Sequence, residues 1–254
     1  MEFIDAYAHC GLSKYKPLPE LEQAMSQAKV GRAVLVQHLG EYDNNYIQDI
    51  VAASPEKFAG VCLVDYTKDG ACDKLRRWVK TGKFRGVRLL LESLEFNRVL
   101  WHEALNLGLN IITYAPEGMG GRLGLLMDFL DESPSAVVIL SHMGGSISKE
   151  DPEFAQFRSI FGLSRYPNVY FQISGMHMFF PYPYKPLWPM VSQALESFGA
   201  DRILWGGNYP PIGTDDDYIR EVELIRSGTL PIPSKVLHKV TCTTALRIWF
   251  SSNI

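Results

Sequence analysis

The sequence predicts an α/β fold, specifically a (β/α)8 TIM barrel. Short runs of β-branched and aromatic residues alternate with longer helical patterns along the 254 residues, a length typical of one such barrel. Continuous apolar runs, such as residues 136–140, are typical of strands that are covered on both faces. No long polar linker interrupts the alternation, so we expect a single domain over residues 1–254.

Eight strands are predicted, each separated from the next by enough residues for one helix and two short loops. They cover residues 3–8, 33–37, 59–64, 85–90, 109–114, 136–141, 168–173 and 202–206. The first helix is predicted from Pro19 and Glu20, which suit a helix start, and from an apolar stripe that ends near Gly31. Further helices are predicted over 71–80, 97–108, 122–131, 186–198 and 216–226, with a closing helix over 235–250.

An open, doubly wound sheet is the alternative to the barrel. Such a sheet needs a topological switch point and usually a phosphate-binding loop. The glycines near 118–121 and 144–145 do not form a G-x-G-x-x-G pattern that enters a helix. The barrel is therefore favoured.

Composition excludes several classes of partner. The formal net charge is −3 and there is no long basic run, so we expect no nucleic-acid binding. There is neither a signal-peptide pattern nor an apolar stretch near 18 residues, which predicts a cytoplasmic protein with no membrane association. The cysteines form no C-x-x-C pair and are expected to be reduced: Cys10, Cys62, Cys72 and Cys242. We expect a small-molecule substrate; a homodimer is compatible with the sequence, which does not determine the oligomeric state.

Candidate functional residues follow from the barrel itself, because active sites of this fold lie at the carboxyl ends of the strands. Tyr7 and His9 lie two residues apart on strand one, so their side chains point the same way. The other predicted strand ends contribute polar or aromatic side chains: His38, Arg88, Tyr114, His142, Ser174 with His177 just beyond, and Asn208.

Three segments of the chain resemble the amidohydrolase-related (amidohydrolase 2) family. These segments are Asp-Ala-Tyr-Ala-His at 5–9, Ser-His-Met-Gly-Gly at 141–145, and Trp-Gly-Gly-Asn-Tyr-Pro at 205–210. Members typically begin with Asp-Ala-His-x-His and finish with Gly-Ser-Asp-Tyr-Pro, and the metal-dependent ones bind a divalent cation at these positions. The resemblance implies an amidohydrolase-like barrel in which Tyr7, Tyr114 and Asn208 occupy positions that hold metal ligands in those relatives.

These replacements predict a protein without a catalytic metal or other cofactor. Zinc sites use thiolate, imidazole or carboxylate donors. A phenol, with a pKa of about 10, stays protonated near neutral pH, and an asparagine amide carries no charge. Only His9 and His142 keep a typical ligand chemistry.

We therefore predict metal-independent acid–base catalysis, with five catalytic residues: His9, His142, Tyr7, Tyr114 and Asn208. Five further residues are predicted to bind substrate: Arg88, His38, Ser174, His177 and Trp205. The favoured reaction is hydrolysis or ring opening of a small cyclic or aromatic carbonyl or carboxylate compound, such as a lactone. A lyase, decarboxylase, isomerase or cyclase, and a non-catalytic binding protein, remain alternatives. So do structural roles, among them a buried ion pair between Arg88 and Asp5 and simple packing of residues 176–184.

Overall fold

Eight parallel strands form one sheet in the order of the sequence. The computed structural model describes residues 2–119, 121–145, 158–210 and 214–251. The strands are β1 Ile4–Ala8, β2 Arg32–Val36, β3 Phe58–Cys62, β4 Phe84–Arg88, β5 Asn110–Ala115, β6 Val138–Gly145, β7 Val169–Ser174 and β8 Ile203–Gly206. Each of the eight predicted strands is present, and the predicted barrel is confirmed.

The barrel closes between β1 and the segment that follows β8. The amide of Asn208 donates to the Tyr7 carbonyl at 2.7 Å, and the amide of His9 donates to the Tyr209 carbonyl at 2.8 Å. A parallel bridge joins Ala8 to Tyr209. This seam brings the end of the first strand against the loop after the last one. Pro211, which follows in the strand-eight motif, lies outside the described residues.

Helices connect the strands on the outside of the sheet. They are α1 Leu18–Ala28, α2 Asn45–Ala53, α3 Ala71–Val79, α4 Ser93–Phe96, α5 Arg98–Asn106, α6 Arg122–Glu132, α7 Met176–Phe179, α8 Trp188–Phe198, α9 Asp215–Arg226 and α10 Ser234–His238, with 3₁₀ helices at Arg158–Arg165, Lys185–Leu187 and Ala200–Arg202. The predicted helices are present; α2 and the short helices α4 and α7 were not predicted. None of the helices in the described part of the chain is long and apolar enough to cross a membrane.

The predicted closing helix is helical but irregular. After α10 the chain continues through π-helical turns at Lys239–Thr243 and Leu246–Phe250. Trp249 from this segment is buried beneath the barrel, where a Cβ on Gly86 of β4 would lie 2.9 Å from its ring. The closing segment thus covers the amino-terminal end of the strands and leaves the carboxyl-terminal mouth for chemistry. All four cysteines are free thiols, as predicted.

A β-bulge in β1 sets the direction of the first site residues. Asp5 pairs with Ala33 and Ala8 with Leu35, so β1 carries one residue more than β2 between these pairs. The amide of Tyr7, at the bulge, donates to the Asp5 carboxylate at 3.0 Å. As a result Tyr7 joins the apolar cluster inside the barrel.

Candidate active site

Arg88 is a buried cation at the barrel mouth. It is 4% exposed, and its Nη1 donates to the Gln37 carbonyl at 3.1 Å. The guanidinium lies 5.8 Å from the ring centroid of Tyr7 and 5.4 Å from that of Tyr114. Within the described ranges, Arg88 forms no ion pair and its Nε has no hydrogen-bond partner.

The alternative reading, in which Arg88 pairs with Asp5, is wrong. The Asp5 carboxylate instead accepts hydrogen bonds from the amides of Tyr7 and Gly207, at 3.0 and 2.7 Å, and from the Tyr218 hydroxyl at 3.0 Å. Burial raises the pKa of Asp5 to about 7, against the lowering effect of these bonds. Asp5 therefore ties β1 to the strand-eight loop and leaves Arg88 without a carboxylate partner there.

His9 has a defined tautomer. Its Nδ1 lies 2.5 Å from the Val36 carbonyl oxygen, which can only accept, so Nδ1 carries the proton. The Nε2 atom is left with a free lone pair. Burial and, next, the charge of Arg88 hold the pKa of His9 well below its ordinary range, so the imidazole is neutral at pH 7.

His142 lies at the centre of the aromatic side chains. Its ring centroid is 4.6 Å from that of Tyr7 and 5.1 Å from that of Tyr114. Ser174 is fully buried; its Oγ accepts the His142 amide at 2.9 Å and lies 3.2 Å from the ring Nδ1, so this hydroxyl holds His142. Burial, followed by the charge of Arg88, lowers the pKa of His142 to about 3. His142 and Met143 both have positive φ values, 51° and 55°, a conformation that costs energy and is common at functional sites.

Asn208 faces the short helix after β7. Its Nδ2 lies 3.2 Å from the Met178 sulfur and 3.4 Å from the His177 Nε2. The Asn208 φ is 51°, within the left-handed region that asparagine tolerates better than most residues. Gly175 lies between His142 and Asn208. A Cβ added at Gly175 would lie 2.7 Å from His142 Nδ1 and 3.4 Å from Asn208 Nδ2. His142, His177 and Asn208 are thus brought together, as their strand ends predicted.

His38 joins the group through a residue that the sequence did not single out. Tyr15 stacks face to face on His9, with centroids 4.8 Å apart and planes 2° apart, and it meets His38 edge to face at 4.9 Å. Tyr15 lies in the loop after β1 and not at a strand end. An aromatic residue in the loop that follows His9 was the only available signal.

Trp205 does not belong to the site, contrary to the prediction. Alternation along β8 turns Leu204 into the barrel and Trp205 out toward the helices. The indole Nε1 donates to Glu221 of α9 at 3.0 Å, and its ring packs on Phe3 at 6.0 Å. We remove Trp205 from the predicted substrate-binding residues.

The mouth does not fit a catalytic divalent cation. No group of three or more His, Cys, Asp or Glu among the described residues could hold a metal ion. The predicted site residues that meet there supply four imidazoles, two phenols and one amide. Imidazole is a typical zinc ligand, but in the described part of the chain the imidazoles are not grouped so that three of them could bind one ion, and the phenols and the amide are neutral, weak donors. The charge of Arg88, which lowers the pKa of His9 and of His142, would also repel a cation.

Comparisons with known proteins agree with this fold. An amidohydrolase family model matches residues 12–250. L-fucono-1,5-lactonase from Burkholderia ambifaria is 24% identical over 199 residues, which cover 75% of this chain and 69% of that protein.

Two solved structures share the barrel at low sequence identity. A candidate 2-pyrone-4,6-dicarboxylic acid hydrolase from Pseudomonas putida has a TM-score of 0.77 and 18% identity, covering 97% of this chain and 96% of its own. A 5-carboxyvanillate decarboxylase from Sphingomonas paucimobilis has a TM-score of 0.67 and 15% identity, covering 99% of each chain. These likenesses show a shared barrel, and the family match over most of its length shows that the chain belongs to the amidohydrolase family of enzymes.

Proposed function

We propose that this enzyme hydrolyses the ring ester of a small, planar, carboxylate-bearing lactone without a metal ion. The observation that carries the proposal is Arg88, a buried cation with no ion-pair partner among the described residues. An uncompensated buried charge costs several kcal/mol, roughly, and a ligand carboxylate would remove most of that cost. The planar guanidinium suits a carboxylate in two-point contact.

Aromatic walls favour a flat substrate. The rings of Tyr7 and Tyr114 flank Arg88, and Tyr15 lies beside His9. Such faces stack well on unsaturated or aromatic rings. The two structural relatives named above carry planar carboxylates in their names, whereas the lactonase relative names a sugar lactone. The site chemistry favours the planar class.

We assign the role of general base to His9. Its free Nε2 lone pair can take a proton from water as the water oxygen attacks the lactone carbonyl carbon. Once a carboxylate is bound at Arg88, the charge that depresses the pKa of His9 is partly neutralised, so the imidazole becomes a stronger base. The ring C–O bond then breaks, and the proton on His9 passes to the leaving oxygen, giving a ring-opened hydroxy acid or its keto tautomer.

Neutral donors would stabilise the developing oxyanion. The Tyr7 hydroxyl is buried beside the Ser141 hydroxyl, and burial raises its pKa, so it keeps its proton to donate. The Ser174 hydroxyl can donate to Nδ1 of His142, which leaves a proton on Nε2 of that ring. Tyr114 and the Asn208 amide provide further donors, each replacing a group that could hold a metal in the related enzymes.

Decarboxylation is the second candidate. A planar carboxylate held by Arg88 beside a neutral imidazole also suits loss of CO2, with the proton delivered to the ring carbon. The structural likeness to a decarboxylase supports this candidate. It differs from hydrolysis in its product, so one assay separates the two.

The proposal is tested with chelator-treated protein and a small panel of substrates. The panel contains 2-pyrone-4,6-dicarboxylate, L-fucono-1,5-lactone and 5-carboxyvanillate, followed by ultraviolet absorbance, proton release and CO2 release. We expect hydrolysis of the planar carboxylate lactone that survives the chelator. Activity only on the sugar lactone, only on 5-carboxyvanillate, or only after zinc is added would contradict it.

A further inference from the structure

The loop after β1 carries a third tyrosine to the mouth of the barrel. Tyr15 is half-buried, and burial raises its pKa, against the lowering effect of the Arg88 charge. Its electrostatic interactions with Arg88 and Tyr114 place it in the same group as the predicted site residues. Tyr7 interacts with Tyr15 in the same way. Two phenols therefore flank one buried guanidinium, and the third, Tyr15, lies close enough to feel its charge.

Contacts on three sides hold the His9 imidazole. Nδ1 donates to the Val36 carbonyl, the Tyr7 ring meets one edge at 5.2 Å and 84°, and the Tyr15 ring covers a face at 4.8 Å and 2°. The ring is therefore fixed in orientation by a strand on one side and by a loop side chain on the other. Of these contacts, the one from Tyr15 is the only one made by a loop.

A backbone hydrogen bond and two ion pairs hold the loop after β1 in place. The Gly11 amide donates to the Lys16 carbonyl at 3.0 Å, which closes a turn around Tyr15. The Lys16 ammonium bonds Asp215 at the start of α9 at 2.7 Å and lies 3.6 Å from Glu20. The residue next to Tyr15 is thus tied to α1 and α9, although the Tyr15 side chain itself is partly open to solvent.

We propose that Tyr15 is both a positioning residue for His9 and a substrate-contacting residue, with its ring covering the imidazole and its hydroxyl facing the carboxylate that binds at Arg88. The inference rests on the proposed function for the identity of that carboxylate. The positioning role stands on the stacked geometry alone.

Two physical consequences follow. The stacked ring keeps water from one face of His9, and desolvation is the largest cause of its depressed pKa. Removing the ring should raise the pKa of His9, while the remaining burial and the charge of Arg88 continue to lower it. Removing only the hydroxyl should leave the imidazole unchanged but take away one donor to a bound carboxylate.

The test compares Tyr15→Phe, which keeps the ring, with Tyr15→Leu, which does not. Tyr42→Leu is the matched control, because Tyr42 is 41% exposed in the loop after β2. Imidazole nitrogen NMR, with His9 signals assigned from His9→Gln, follows protonation and tautomer in the free protein. Calorimetric titration with benzoate measures carboxylate binding without turnover.

We expect His9 to stay neutral with Nδ1 protonated from pH 5 to 8 in the parent, in Tyr15→Phe and in Tyr42→Leu. In Tyr15→Leu we expect a higher His9 pKa than in the parent, seen as imidazole protonation that begins at a higher pH. Benzoate affinity should fall about 3-fold in Tyr15→Phe and about 10-fold or more in Tyr15→Leu. An unchanged His9 titration in Tyr15→Leu overturns the positioning role. Unchanged benzoate affinity in both Tyr15 variants overturns the substrate contact. If the parent itself does not bind benzoate, the carboxylate site of the proposed function is rejected, and the NMR result still decides the positioning role.

Discussion

Arg88 carries the positive charge that most affects the protonation of the other side chains at the barrel mouth. The imidazoles of His9 and His142 are neutral because burial and this charge lower their pKa values. The phenol of Tyr7 is neutral because burial raises its pKa. A set of neutral donors and acceptors around one buried cation favours an anionic substrate and opposes a divalent metal.

Replacing His9 or His142 by Gln should lower kcat about 100-fold or more, the scale of a lost general base or donor. Steady-state rates on the substrate found by the panel provide the measurement, and thermal unfolding checks that each variant folds. His102→Gln is the control, because His102 lies on α5, away from the barrel mouth, with its Nε2 3.8 Å from a Glu132 carboxylate oxygen. Full activity in both site variants would place the chemistry elsewhere.

Asn208→Asp should impair the reaction by about 2–4 kcal/mol in transition-state stabilisation, the scale of one oxyanion donor. The amide nitrogen that faces Met178 and His177 would become an acceptor-only carboxylate oxygen. The measurement is kcat/KM with and without zinc, and Asn45→Asp, on the exposed first turn of α2, controls for added charge. If Asn208→Asp is as fast as the parent, or becomes strongly zinc-dependent, Asn208 is a former ligand and not a recruited donor.

Among the elements, the end of β6 and the turns after β7 and β8 determine where the site residues point. His142, Gly175 and Asn208 all have positive φ values, 51°, 63° and 51°. Positive φ in a non-glycine residue is uncommon. It is stabilised here by surrounding hydrogen bonds, such as that from the Asn208 backbone amide to the Tyr7 carbonyl. The site therefore depends on tight backbone turns as much as on side chains.

Gly175→Ala should abolish most activity, whereas Gly70→Ala should not. Both glycines lie in the left-handed region, with φ and ψ of 63° and 27° at Gly175 and of 78° and 12° at Gly70, so both variants incur a similar backbone cost of about 1–2 kcal/mol. Only at Gly175 would the new Cβ crowd His142 Nδ1, at 2.7 Å, because nothing lies within 4 Å at Gly70. Thermal unfolding and kcat are compared; equal loss of activity in the two variants would show that crowding of His142 is irrelevant.

The strands, and the placement of most of their end residues at one mouth, could be predicted from sequence because burial on both faces leaves a continuous apolar run and the barrel brings every strand end to the same side. Side-chain direction was harder to predict: Trp205 lies near the end of β8 but faces outward, on the side opposite Leu204. Tyr15 could not be predicted, because a loop residue reaches the site through loop geometry that no periodicity encodes. Helix α2 was missed because its start, Asn44 followed by Asn45, resembles a polar loop.

For the whole molecule, a buried acidic pair lies behind the seam that closes the barrel. Asp5 bonds the strand-eight loop and Tyr218, while Glu221 of α9 accepts from Trp205. Burial raises the pKa of Glu221 to about 8, and the nearby charge of Asp5 adds to this. Both carboxyl groups are therefore protonated more readily in the folded enzyme than in the unfolded chain.

Glu221 should make the fold less stable as pH rises from 5 to 8. The folded state keeps a proton that the unfolded chain releases above its ordinary pKa of 4.5, so the free energy of unfolding falls by up to about 1.4 kcal/mol per pH unit. Glu221→Gln removes this contribution and can still accept from Trp205. Urea unfolding at pH 5, 6, 7 and 8 measures the difference between parent and variant; a difference that does not change with pH would contradict the assignment.

The central claim is that Arg88 binds a substrate carboxylate without a metal ion, and calorimetric titration of chelator-treated protein with benzoate tests it most directly. Arg88→Met removes the buried cation and keeps an apolar side chain, which the interior tolerates. Arg85→Met, an exposed position on the same strand, is the control. We predict that the parent and Arg85→Met bind benzoate equally with or without zinc, and that Arg88→Met binds it about 30-fold more weakly or not at all. Equal binding by Arg88→Met, or binding that requires zinc, would contradict the account.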